Sequence, residues 1–202
     1  GQAEESGLIV QMGEWVINEV CRQISEWERE GRIPPPVSIN VSPRELLRPV
    51  LVANIEKALN DHKVSASQIK LELTETFLMK NIDLSIGILK QLKSLGLQIL
   101  IDDFGTGYAS LNYLRKLPIN GIKIDQSFIK GIPNSLQDSA LTSAIIAIAH
   151  QLGLDVVAEG VENLSQFEFL RAAQCNFAQG NFFFKPVNAQ AFADLLRLSH
   201  PS

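Results

Sequence analysis

Two adjacent aspartates, Asp102 and Asp103, end an apolar run and precede the loop Phe104-Gly105-Thr106-Gly107-Tyr108-Ala109-Ser110. Adjacent carboxylates repel, so a protein that holds them together supplies a compensating positive charge, and a divalent cation is the simplest one. Alone, the pair reads equally as a solvated turn punctuated by Gly105 and Gly107. Other polar side chains tip the balance, because they too interrupt or close short apolar runs: Asn40, Glu72, Lys123 with Asp125, Glu159 with Glu162, and Gln179. Burying a charge without a partner is costly, so each such position requires a reason. A structural salt bridge satisfies any one of them. Runs that converge with acids, an amide and a lysine suit oxygen-ligated magnesium, manganese or calcium rather than zinc. Two such metals beside a lysine point to hydrolysis of a phosphate ester.

The elements that would carry these residues repeat along the chain. Leu8, Met12, Trp15, Val16, Val20 and Ile24 recur at helical spacing and predict an opening helix whose apolar stripe continues through Trp27. Gly31 and Pro34-Pro35-Pro36 end it. Strand-and-helix units follow. Val37–Val41 leads to a helix from Ser42-Pro43 to about Asp61, and Ile69–Thr74 to a helix over Leu84–Leu95. Gln98–Ile101 leads to a short helix over Ser110–Lys116. Gly121–Ile124 leads to a helix from Gln137 to Leu152 with Leu141, Ile145, Ile148 and Leu152 on one face. Asp155–Ala158 leads to Ser165–Ala173, and Asn176–Gly180 to a last helix over Ala189–Leu198. Such alternation predicts an α/β fold with a parallel sheet, either doubly wound and open or closed as a β/α barrel. Both closures put function at the carboxyl ends of the strands.

Composition bounds the partners. The 202 residues suit one domain, and a net charge of −4 gives no electrostatic footprint for polymeric nucleic acid. Cys21 and Cys175 lack CxxC spacing and read as buried, reduced thiols, which fits a cytoplasmic setting. His62, His150 and His200 lie away from the strand ends and read as surface or packing residues. Phe182-Phe183-Phe184 reads as packing, with ligand stacking as the lesser alternative.

Asn40-Val41-Ser42-Pro43, Glu72-Leu73-Thr74-Glu75, Asp102 through Leu111, Lys123-Ile124-Asp125, Ala158-Glu159-Gly160-Val161-Glu162 and Gln179-Gly180 with Pro186 together resemble the EAL domain of bacterial cyclic di-GMP phosphodiesterases. The resemblance runs from about Ala3 to Pro186. It implies a TIM-like (β/α) barrel of the EAL type, and hydrolysis of cyclic di-GMP to linear pGpG at two divalent metals, magnesium or manganese, with calcium inhibitory. By the same resemblance Asn40, Glu72 and Asp102 bind the first metal, and Asp103 and Glu159 lie at the second. Lys123, Glu159 and Asp103 carry the catalysis, Glu75 braces the loop from Phe104 to Ser110, and Asp125, Glu162 and Gln179 support the substrate pocket. A homodimer, fusion to sensory or diguanylate cyclase domains, and a parent protein tethered to a membrane all belong to the expectations it raises.

Departures from the family pattern accompany the agreement. The Glu-Ala-Leu motif is absent from residues 1–202, so the resemblance implies an N-terminally incomplete domain that lacks two strands and one ligating glutamate. A domain that has lost the activity and serves as a receptor or interaction module is the alternative this raises. Glu45 stands where relatives often carry glutamine, Asn120 where they often carry aspartate, and Asn181 where an aromatic residue is usual.

Overall fold

The computed structural model describes residues 8–80, 82–107 and 111–199. Its strands are β1 (Val37–Asn40), β2 (Ile69–Thr74), β3 (Gln98–Phe104), β4 (Gly121–Ile124), β5 (Asp155–Ala158) and β6 (Phe177–Ala178). Between and around them run α1 (Leu8–Arg29), α2 (Pro43–Leu46), α3 (Leu51–His62), α4 (Glu75–Lys80), α5 (Ile82–Ser94), α6 (Leu111–Leu114), α7 (Gln126–Ile129), α8 (Leu136–Gln151), α9 (Leu164–Ala172) and α10 (Ala189–Ser199). In sheet order the strands follow the sequence from β1 to β6. A doubly wound sheet reverses its strand order at a switch point. No reversal occurs among the described residues, and the winding is that of a β/α barrel.

By contact the chain divides into two compact units, Gly1–Glu72 with Asp83–Gln98 and Pro186–Ser202, and Leu73–Ile82 with Ile99–Lys185. In the first, β1 pairs parallel with β2 and sets Asn40 beside Glu72. Helix α1 buries Ile17, Cys21, Ile24 and Trp27, while Met12 and Trp15 are 55% and 65% exposed. Of the expected stripe, Ile24 and Trp27 are buried and Val16 and Val20 half-buried, and the buried face is rotated away from Met12 and Trp15. Trp27 packs on Phe192 of α10 with ring centroids 5.3 Å apart. The expected helix from Ser42 to Asp61 is two helices, because Pro49 cannot continue the first. Ser42 starts α2 with a capping box, its hydroxyl accepting from the Glu45 N–H while the Glu45 carboxylate accepts from the Ser42 N–H.

In the second unit β3, β4, β5 and β6 pair in parallel. Asn120 fixes the start of this register. Its N–H donates to the Ile99 carbonyl at 2.8 Å, its Oδ1 accepts from the Ile99 N–H at 3.1 Å, and its carbonyl accepts from Asp155 at 3.0 Å. Helix α8 turns Thr142, Ile146 and Ala149 to the core, one position from the expected face. Leu141, Ile145 and Ile148 instead line a cavity of about 320 Å³ with Phe104, Gly105 and Phe128. Apolar residues that line a cavity give the same periodicity as core residues, so the pattern alone does not separate the two. No helix among the described residues is long and apolar enough to cross a membrane.

Candidate functional site

Strand β3 is longer than the sequence predicts. It continues through Asp102 and Asp103 to Phe104, which pairs with Ile124, and its register shifts between Ile101 and Phe104. Side chains of a regular strand alternate between its faces. Asp103 breaks the alternation with a left-handed backbone, φ 54°. In consequence carboxylate oxygens of Asp102, Asp103 and Glu159 all lie within 4.8 Å of one another.

The lysine on the next strand faces this cluster. Lys123 is buried in β4 beside Val157 of β5, and Glu159 follows two residues later on the same side. Its ammonium lies 3.0 Å from Asp102 Oδ1 and 2.8 Å from Glu159 Oε1. One lysine thus faces a set of three carboxylates. The exposed Asp103 carboxyl is shifted upward from its ordinary value by desolvation and by the Asp102 and Asp125 charges, and Lys123 opposes that shift. Negative charge in excess of its lysine and an all-oxygen donor set fit a hard divalent cation. Asp125 caps α7 directly after β4, accepting from the Ser127 N–H at 2.9 Å.

A second carboxylate holds the loop. Glu75, fully buried at the start of α4, accepts from the Gly105 N–H at 2.7 Å through Oε2. Its Oε1 finds no hydrogen-bond partner among the described residues and lies where a Cβ on Gly107 would fall. Thr106 closes the turn by donating from its N–H and hydroxyl to the Asp103 carbonyl. Tyr108, Ala109 and Ser110, expected in the same loop, lie outside the described residues.

The remaining expected residues occupy separate positions. Asn40 and the buried Glu72 form their adjacent pair in the first unit. Gln179 follows β6, where its backbone exchanges hydrogen bonds with Ala158 and Val161. Glu162 begins the turn into α9 and donates its N–H to Gln166 Oε1 at 2.8 Å.

Gln166 itself is absent from the sequence reading. It is buried, completes a capping box with Asn163, and donates from Nε2 to the Ile129 carbonyl at 3.1 Å. It thereby ties the segment after Glu159 to α7. Asn163-x-x-Gln166 ahead of an apolar run was the available signal.

The family described as EAL domain matches residues 2–186. The bifunctional diguanylate cyclase/cyclic di-GMP phosphodiesterase MucR of Pseudomonas aeruginosa is 43% identical over 93% of this chain and 27% of its own length. The cyclic di-GMP phosphodiesterase NbdA of the same organism is 43% identical over 98% of this chain and 25% of its own length. The chain therefore spans about a quarter of these curated relatives. A solved structure described as PaMucR phosphodiesterase in complex with c-di-GMP superposes with a TM-score of 0.90 at 42% identity, over 95% of this chain and 77% of that one.

Proposed function

The chain belongs to the EAL domain family, and from that premise we propose that it hydrolyses cyclic di-GMP, opening one phosphodiester bond to give linear pGpG. The observation that carries the proposal is the Lys123 ammonium between the Asp102 and Glu159 carboxylates, with Asp103 beside them. Relatives named as cyclic di-GMP phosphodiesterases support the substrate.

Asp102, Asp103 and Glu159 hold divalent cations in this reading, with Asn40 and Glu72 as further ligands. Magnesium or manganese supports the reaction and calcium inhibits it. When bound, such ions screen the phosphate charge and acidify a water. Lys123 contributes a fixed positive charge toward the scissile phosphate, and Glu159 receives a proton from the attacking water. Water oxygen joins phosphorus as the bond to the 3′-oxygen breaks, and that oxygen leaves protonated. Asp125, Glu162 and Gln179 support the pocket, and the loop from Phe104 to Ser110, braced by Glu75, carries regulatory input. The whole protein joins this domain to sensory or cyclase domains and works as a homodimer in the bacterial cytoplasm.

Chromatographic separation of cyclic di-GMP from pGpG tests the reading, with magnesium or manganese added to this chain and to a form extended at its N-terminus. Cleavage by the extended form that Asp103→Asn abolishes is the expected result. Tight binding without cleavage in the extended form favours the receptor alternative, and cleavage that survives Asp103→Asn overturns the mechanism.

A further inference from the structure

A single turn of helix touches both segments that follow the clustered acids. Gly105, two residues after Asp103, has φ 98°, and a Cβ there would lie 2.8 Å from Phe128 Cε2. The Phe128 ring therefore seats directly on the Gly105 backbone, whose N–H is held by Glu75. Gly160, immediately after Glu159, has φ 70°, and a Cβ there would lie 2.6 Å from Gln126 Cβ. Gln126 and Phe128 belong to the same turn, α7, which is capped by Asp125 and follows the strand of Lys123. Gln166 adds a third tie, from the Ile129 carbonyl at the end of α7 to the backbone of Glu162 and Asn163.

We propose that α7 is a spacer for the carboxylate cluster: Phe128, through Gly105, and Gln126, through Gly160, set the separation of Asp103 from Glu159 and hence the affinity of the cluster for a divalent cation. Both are positioning residues that touch glycine backbone and act through it. Glycine at 105 and 160 permits the close approach, and its lack of a side chain makes the backbone itself the contact surface. Losing either contact frees one carboxylate to drift, and ligand separation governs divalent cation binding. The inference rests on the metal reading above.

Binding of Mn2+ alone to the 202-residue chain, followed by the loss of its free-ion paramagnetic resonance signal, tests both claims. Wild type, Asp102→Asn, Phe128→Ala and Phe128→Leu are compared, each with its thermal transition recorded in chelator. The expected result is Mn2+ binding weakened at least tenfold in Phe128→Ala and less in Phe128→Leu, with a cooperative transition retained. Wild-type affinity in Phe128→Ala overturns the spacer. Should that variant fail to fold, Phe128→Leu decides in the same way, wild-type affinity again counting against the spacer. Wild-type binding no tighter than that of Asp102→Asn overturns the metal reading and the spacer with it.

Discussion

The Lys123 ammonium lies 2.8 Å from Glu159 Oε1, on the neighbouring strand, and also meets Asp102 at 3.0 Å. Removing one partner of a buried ion pair costs about 3–5 kcal/mol, and the partial exposure of these two acids reduces that to about 2 kcal/mol. Lys123→Met is therefore expected to lower urea stability by about 2 kcal/mol in chelator. Mn2+ should stabilise the variant more than the wild type, because it replaces the missing positive charge. Equal stabilisation of both would show that the lysine and the cation do not share these carboxylates.

Glu75 accepts from the Gly105 N–H from a fully buried position. Glu75→Ala leaves that N–H without its acceptor, at a cost of about 1–3 kcal/mol. Hydrogen exchange at the Gly105 amide should accelerate strongly in Glu75→Ala and less in Glu75→Gln, which retains a carbonyl acceptor. Unchanged protection would mean that the loop is held by other contacts.

Gln166 satisfies groups on two elements at once. Gln166→Ala should cost about 2 kcal/mol by urea unfolding. Gln166→Glu should recover little of it, since an acceptor-only carboxylate would face the Ile129 carbonyl where Nε2 now donates. Full recovery would make the cap the whole of its role.

Trp15 and Trp27 test which face of α1 is the core. Trp27 is buried against Phe192, whereas Trp15 is largely exposed. Trp27→Ala should cost about 3–5 kcal/mol and Trp15→Ala less than about 0.5 kcal/mol. A cost for Trp15→Ala as large as that for Trp27→Ala would restore the face that periodicity suggests.

Burial pushes the Cys21 thiol up to about 11. Below the unfolded thiol value, about 8.5, both states are protonated and the group gives no pH dependence. As pH rises from there toward 11, the unfolded chain deprotonates first, so stability falls. Cys21→Ala should flatten the urea midpoint across that window, and native Cys21 should resist thiol reagents at pH 8. Rapid labelling of the native thiol would contradict its burial.

Strand ends were legible because each short apolar run is interrupted or closed by a polar residue, which is why Asn40, Glu72, Asp102, Lys123 and Glu159 stood out together. The bend at Asp103 was not, since a left-handed aspartate leaves no trace in hydrophobic pattern. Nor was α7, whose four residues are too short to show a helical period. The facing of α1 and α8 misled for one shared reason. Trp15 and Leu141 are apolar yet exposed, so composition outnumbered the true core positions.

Asn120 has a consequence for how error spreads through this sheet. Its three hydrogen bonds clamp β3, β4 and β5 where those strands begin. A slip of one residue in a strand exchanges its two faces. Misregistration at Asn120 would turn Lys123, three positions onward, away from Asp102 and Glu159. The amide that aligns the entry side of the strands therefore acts as a zero mark. Charges at the far ends meet because the count from that mark is kept.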